Sequence, residues 1–281
     1  MRTLLLGLIG AGIQRSLSPA LQEEEGRHHG LRVHYQLIDL DAAGVGTDAL
    51  PGLISAARAM GFAGLNVTYP CKQLVMPLLD ALAEEAQAIG AVNTVVREGR
   101  KLIGHNTDGS GWSWGFRRAL PDADLSHVAL IGAGGAGAAC GDAVLRLGAK
   151  RVSIVDQDSS RAAALAERLR RHFPRQKIAD ADLDTALREA SGLIQATPVG
   201  MAKHPGSAVP GKLLRPSMWV SEIVYVPLET PLLEAARRTG CATMDGGHMN
   251  VGQALGAFKL FTGFEADAVR MDAHFRRLAS A

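Results

Sequence analysis

The sequence predicts an α/β protein of two domains, each a largely parallel sheet covered by helices. Three observations carry that expectation. Short apolar runs alternate with segments of helical length along the whole chain, the pattern of strand–helix–strand crossovers. A chain of 281 residues is long enough to bury two separate cores. Near the middle, at 128–139, four apolar residues run straight into a glycine-rich turn and then a helix-forming segment.

In the first half, Leu4–Ile9 and Val33–Ile38 read as strands. Ser18–Gly30 between them reads as a helix opened by Ser18-Pro19, because proline is preset for a first helical turn. The stretch from Arg2 to Gly12 could also pass for a short signal sequence, but no apolar run reaches membrane-span length and the strand reading is preferred. Leu50–Met60 is an amphipathic helix with Pro51 in its first turn, Gly64–Thr68 a short strand, and Pro70–Ile89 a helix. Ala91–Arg97 and Lys101–His105 pair as a hairpin, Asp108–Leu120 is a linking helix, and Pro121-Asp122-Ala123-Asp124 marks a boundary. In the second half the strand Val128–Ile131 and its helix are followed by a strand at Arg151–Val155 and a helix at Ser159–His172. Thr185–Ala190 is a short helix, Gly192–Ala196 and Trp219–Val224 are strands, Pro231–Thr239 is a helix, and a helical tail begins at about Val251.

Charged residues make up 21% of the chain and nearly balance at net +2, which points to neither a nucleic-acid nor a membrane partner. Cys71, Cys140 and Cys241 are odd in number and far apart, against a disulfide framework or a structural zinc and in favour of a reducing cytoplasm. There the sequon Asn66-Val67-Thr68 goes unused. His28, His29, His127, His172 and His204 share no ligand spacing, so no metal is expected.

The central motif is Gly132-Ala133-Gly134-Gly135-Ala136-Gly137. In such a loop the first glycine makes the tight turn, the second lets backbone approach a pyrophosphate, and the third lets helix and strand pack closely. Asp156 ends the next strand about twenty residues on, where an acid binds the ribose 2′-hydroxyl. Strand, helix and acid together predict a Rossmann dinucleotide-binding domain. Gly10-Ala11-Gly12 near the start also follows a strand, but it lacks the third glycine and a suitably placed acid, and is rejected as a second site.

Two charged residues draw attention. If Pro70 opens a helix, Lys72 lies in its first turn, where the macrodipole disfavours a cation and makes it a candidate acid–base group; a solvated surface lysine is the alternative. Asp108 is either an N-cap or a partner that holds the lysine, and the two roles are compatible. Ser16, Ser18, Asn66, Thr68, Asn93, Thr94 and Asn106 all fall where strands end. Ligands of open α/β sheets bind there, although each of these residues also suits a turn or cap.

These residues together resemble the shikimate dehydrogenase superfamily, and within it the NAD-using quinate/shikimate dehydrogenases. The resemblance runs through Ser16-Leu17-Ser18-Pro19, Asn66–Lys72, Gly90–Thr94, Asn106–Gly109, Gly132–Gly137, Ala196–Met201 and Asp245–Gln253. It implies a substrate domain at 1–108 with a mixed, mainly parallel sheet, completed by helices at 244–281. It implies a Rossmann domain at 109–243 and a cleft between the two. Lys72 and Asp108 would be the catalytic pair that exchanges a proton with the substrate C3 hydroxyl. Ser16 and Ser18 would bind the carboxylate, Thr68, Asn93, Asp108 and Gln253 the ring hydroxyls, and Tyr225 would sit at the substrate edge. Thr197, Val199, Val224, Gly246 and Met249 would flank the nicotinamide.

Two departures qualify the match. NADP-using members resemble Asn-Arg-Thr after the second nucleotide strand, whereas this chain has Asp156-Gln157-Asp158-Ser159-Ser160-Arg161. Two carboxylates would repel a 2′-phosphate, so NAD is the expected cofactor; Arg161 could face the adenine or solvent. Gly247–Gln253 also departs from the commoner pattern, in which Leu often follows Met. The expected activity is oxidation of shikimate, quinate or both by a cytoplasmic monomer or homodimer. The alternatives are a dehydrogenase of a related cyclohexane carboxylate such as aminoshikimate, and a non-catalytic NAD-binding regulator.

Overall fold

The structure, a computed structural model, describes residues 2–280. Its chain divides into two compact units, Met1–Thr107 with Gln253–Ala281, and Asp108–Gly252. In the first unit β1 (Thr3–Gly10), α1 (Ser18–His28) and β2 (Arg32–Asp39) are followed by α2 (Leu40–Ala43), α3 (Leu50–Met60) and β3 (Gly64–Val67). Then come β4 (Ala81–Leu82), α4 (Glu84–Ile89), β5 (Thr94–Glu98) and β6 (Lys101–His105). The six strands lie in the order β2-β1-β3-β5-β6-β4. β1 is parallel to β2 and β3, β5 is antiparallel to both neighbours, and β6 and β4 are parallel. The antiparallel β5 has a consequence for function: its N-terminal end lies at the same edge as the C-terminal ends of β1, β3 and β6.

The apolar run of β1 is explained by burial on both faces, as expected of a central parallel strand. Leu4, Leu6 and Leu8 pack with Phe258 and Phe261, while Leu5 and Ile9, on the opposite face, pack with Ile54 and Ala57 of α3.

The second unit begins with α5 (Asp108–Ala119), then β7 (Val128–Ile131), α6 (Gly135–Arg146), β8 (Arg151–Val155), α7 (Ser159–His172) and β9 (Lys177–Asp180). α8 (Leu183–Arg188), β10 (Gly192–Gln195), β11 (Trp219–Glu222), α9 (Pro231–Thr239) and β12 (Ala242–Met244) complete its sheet. All six strands are parallel, in the order β12-β11-β10-β7-β8-β9, so the chain reverses its direction of winding between β7 and β10. α10 (Gly246–Thr262) runs from the second unit into the first, and α11 (Ala268–Ala279) belongs to the first. Residues 244–252 thus stand with the second unit. Within that unit α10 lies hard against α5: a Cβ on Gly252 would fall 2.4 Å from the Gly111 carbonyl oxygen, and one on Gly115 would fall 2.8 Å from His248 Cβ.

One expected element is absent. Pro70–Ile89 is not a helix: 70–75 is a series of turns, Met76–Leu78 a single 3₁₀ turn with Pro77 in it, and Ala81–Leu82 pairs with β6, leaving a helix only at α4. Proline's missing N–H and the pairing of Asp80 Oδ2 with the Leu102 N–H, at 2.7 Å, interrupt any helix there. Among the described residues no helix is long and apolar enough to cross a membrane.

Candidate active site

In the first unit the polar residues gather at the edge where β1, β3 and β6 end and β5 begins. Asn93 is their hub and is buried. Its Nδ2 donates to Thr107 Oγ1 at 2.9 Å, and its Oδ1 accepts from the Thr107 N–H at 2.8 Å and from Thr94 Oγ1 at 2.9 Å. Its carbonyl accepts from the Val67 N–H, and its own N–H donates to the His105 carbonyl, so β3, β5 and β6 are locked together at this point. Asn66 Nδ2 donates to Thr94 Oγ1 at 3.1 Å, and Tyr35 Oη donates to Asn66 Oδ1 at 2.7 Å. Asn106 Nδ2 reaches the Ala91 carbonyl at 2.9 Å. Asn66 and Asn106 are therefore consumed by the scaffold, while Thr68 and Lys72 are half-buried at the same edge.

Lys72 lies in the turns after β3, not in the first turn of a helix, so the macrodipole argument for it lapses. What fixes it instead is its main chain. The Lys72 carbonyl accepts from the Val92 N–H at 2.8 Å, next to Asn93, and the Cys71 N–H donates to the Thr68 carbonyl at 2.8 Å. Ser16 and Ser18 follow β1, half-buried, with Ser16 Oγ accepting from the Ser18 N–H at 3.3 Å where α1 begins. Gln253, also half-buried, opens the part of α10 that belongs to this unit.

The acid that the sequence reading did not accept as a nucleotide ligand organises the serine loop. Asp39, buried at the end of β2, accepts from the N–H groups of Gly12 (2.9 Å) and Ile13 (3.0 Å) and from Gln14 Nε2 (2.9 Å). Burial alone would raise its carboxyl; the hydrogen bonds from Gln14 and the backbone outweigh it and hold the group below the ordinary range. The pattern of a glycine turn after one strand and an acid ending the next was visible there. In this unit the acid is spent on the loop itself.

In the second unit the residues expected to hold a nucleotide lie at the C-terminal ends of β7, β8, β10 and β11. Asp108 is the first residue of α5 and is buried, one turn from Trp112, whose Nε1 donates to Ser221 Oγ on β11 at 3.0 Å. Gly132 has φ +103°, and the loop passes through Ala133 to Gly134, the N-cap of α6; Gly135 and Ala136 are its first helical residues. A Cβ on Gly137 would lie 1.9 Å from the Gly132 carbonyl oxygen, so helix and turn touch there. Over Gly134 the nearest atom to an added Cβ is an Arg161 guanidinium nitrogen at 3.5 Å, which leaves the helix N-terminus open to an anion. Asp156 Oδ2 accepts from the Ala133 N–H at 2.7 Å, and its Oδ1 from the Asp158 N–H at 3.0 Å. Asp158 caps α7 through the Ser160 N–H and hydroxyl, and that hydroxyl's hydrogen bond leads the effects that lower its carboxyl. This cradle fits a dinucleotide: a glycine turn no larger residue could make, open N–H groups, and an acid fixed beside them.

Thr197 and Val199 follow β10, and Val224 and Tyr225 follow β11. A Cβ on Gly246 would fall 2.3 Å from the Val224 carbonyl oxygen, so the start of α10 rests on that segment, with Met249 buried one turn along. Gln195 and Glu222, not singled out from the sequence, tie these segments together. Gln195 Nε2 donates to the carbonyls of Thr197 (3.2 Å) and Val199 (2.9 Å) and to Glu222 Oε1 (3.1 Å). Among the described residues no group of three or more His, Cys, Asp or Glu is arranged to hold a metal ion.

A shikimate dehydrogenase (NADP(+)) of Streptomyces avermitilis is 56% identical over 278 residues, 98% of this chain and 96% of that protein. This chain belongs to the shikimate dehydrogenase family. The family's substrate binding domain matches residues 8–95, the stretch of the first unit that contains Thr68, Lys72 and Asn93. A quinate/shikimate dehydrogenase (NAD(+)) of Corynebacterium efficiens is 43% identical over 280 residues, 98% of this chain and 99% of that one. The structure of quinate dehydrogenase from Corynebacterium glutamicum in complex with NAD matches with a TM-score of 0.90 and 42% identity, covering 99% of this chain and 100% of that one. Family membership therefore leaves both NAD and NADP represented among close relatives.

Proposed function

We propose that this protein is an NAD-dependent dehydrogenase of shikimate, quinate or both, with Lys72 and Asp108 as its acid–base pair. The observation that carries the reading is the chain of links around Asn93. Lys72 is tied by its carbonyl to Val92; Asn93 comes next, grips Thr107 through side chain and backbone, and Asp108 directly follows Thr107. The main chain of Lys72 and the Thr107 that precedes Asp108 are thus both held within the first unit at Val92-Asn93, the kind of support a catalytic lysine needs if its geometry is to survive turnover.

In the oxidising direction Lys72 takes the proton of the C3 hydroxyl, and in the reducing direction returns it. Asp108 orients the ammonium and holds a ring hydroxyl. Bound NAD supplies hydride acceptance and donation at C3. Ser16 and Ser18 hold the carboxylate; Thr68, Asn93 and Gln253 hold ring hydroxyls; Tyr225 closes the substrate edge. Gly132–Ala136 and Arg161 receive the pyrophosphate and adenosine, and Thr197, Val199, Val224, Gly246 and Met249 flank the nicotinamide. The reading of NAD over NADP is supported by Asp156 and Asp158, two carboxylates where a 2′-phosphate would lie. Initial rates crossing NAD and NADP with shikimate and quinate test it. Turnover of shikimate or quinate with NAD well above NADP is expected; no turnover with any combination would sink the activity, and NADP preference would sink the cofactor assignment.

A further inference from the structure

Glu222 is a fully buried carboxylate that the chemistry above does not use. Four donors converge on it. Oε1 accepts from the N–H groups of Ile223 (2.8 Å) and Val224 (2.9 Å) and from Gln195 Nε2 (3.1 Å); Oε2 accepts from Thr230 Oγ1 (3.0 Å), the residue that caps α9. Through Gln195 it reaches the Thr197–Val199 segment, and directly it fixes the turn into Val224, against which Gly246 packs.

We propose that Glu222 is a positioning residue for the nucleotide: its ionised side chain holds the segments after β10 and β11 in register, and the affinity for NAD(H) follows its ionisation. The inference rests on the reading that these segments flank the nicotinamide. An ionised carboxylate accepts all four hydrogen bonds. A protonated one must donate, and the one of its four partners able to accept is Thr230 Oγ1, whose hydroxyl then loses its own acceptor while it still caps the Leu233 N–H. Oε1 becomes a weaker acceptor for the other three donors. Protonation thus loosens the tie that holds both segments.

Burial pushes the carboxyl from the ordinary 4.5 up to about 7, against the hydrogen bonds from Val224, Thr230, Ile223 and Gln195. The switch therefore falls near neutrality. No charged side chain bonds to Glu222. On the elements around it Lys203 and His204 are exposed, Glu229 is exposed and paired with Arg237, and Asp245 pairs with His248 at the head of α10.

NADH binding, read by transfer from tryptophan fluorescence with no substrate present, tests this between pH 6 and 8. If only the ionised form is competent, the wild-type Kd weakens by up to about tenfold from pH 8 to pH 6, because the competent fraction falls from roughly 0.9 to roughly 0.1. Glu222→Gln should bind weakly with a Kd that is flat over this range. Thr230→Val, which removes one donor and leaves Glu222 in place, should move the wild-type midpoint to higher pH; it decides the matter if Glu222→Gln does not fold. A pH profile that survives in Glu222→Gln belongs to another group, the His248–Asp245 pair among them, and overturns the proposal, as does a midpoint unmoved in Thr230→Val. Wild type that binds no NADH at any pH would overturn the nucleotide reading itself, and this inference with it.

Discussion

Lys72 illustrates what can and cannot be read from residue types. Its flanking motif was legible; its setting was not, because the proline before it lies in a turn and does not open a helix. The case for it now rests on its tie to Val92 beside Asn93. If it is the acid–base group, Lys72→Ala should lower kcat by about 10²–10⁴ with a smaller change in KM. The double variant with Asp108→Ala should be little worse than Lys72→Ala alone, since the two act as a unit. Near-normal kcat in Lys72→Ala would show that the base lies elsewhere. Asp156, proposed as a ribose ligand, also holds the Ala133 N–H. Serine at that position would loosen the glycine loop as well as remove charge, so Asp156→Asn, which keeps one acceptor, is the cleaner probe. Wild type should favour NAD over NADP by on the order of a hundredfold in kcat/KM. Asp156→Asn should narrow that gap chiefly through KM for NADP, and an unchanged ratio would remove Asp156 from the selectivity. Gln195 and Glu222 escaped notice, and Asp39 was set aside, because a sequence shows a polar side chain but not the donors converging on it.

At the scale of elements, the interior of each sheet was legible, as was β2 at one edge, but the other edges were not. β1 and β7 are apolar runs because both faces are covered; β10 and β11 are buried throughout as well, although they end in Gln195 and in Ser221-Glu222. β9 and β12 are edge strands of three or four residues with exposed positions, and β4 is two residues long, so none carries an alternation to detect. Helices with strong caps were legible nearly to the residue: α7 behind Asp158, and α9 between Thr230 and Gly240. The glycine turn and α6 behave as one element, since the only room for Gly137 is against the Gly132 carbonyl. Gly137→Ala forces backbone from backbone and should destabilise the protein by about 1–3 kcal/mol. On the proposed reading it should also raise KM for NAD while leaving kcat closer to wild type, because the displaced helix N-terminus would hold the nucleotide's pyrophosphate rather than the reacting carbon. Thermal melts and saturation curves check both halves; unchanged KM would mean the turn does not carry the pyrophosphate.

For the whole molecule, metal plays no part in the proposed chemistry, so prolonged dialysis against a chelator should leave kcat unchanged, and a loss restored by zinc would overturn that. The global stability carries the signature of Glu222. In the unfolded chain this carboxyl titrates near 4.5, and in the folded protein near 7. Below 4.5 it is protonated in both states and contributes no difference. Between 4.5 and 7 the folded state keeps a proton that the unfolded state has lost, so this group's contribution to stability falls as pH rises through that window and levels off above it. The full change is on the order of 2–4 kcal/mol. Glu222→Gln has no such titration, so its stability relative to wild type should rise from pH 5 to pH 8. All three tryptophans, Trp112, Trp114 and Trp219, lie in the second unit, so their fluorescence in urea reports the unit that contains Glu222. A stability difference that is constant between pH 5 and 8, or that shifts toward wild type, would contradict the assignment. The sign matters beyond the number: at pH 8 the same substitution should gain relative stability while losing NADH affinity. A residue kept only for structure would lose both together, whereas a buried charge held to align the nucleotide segments separates them.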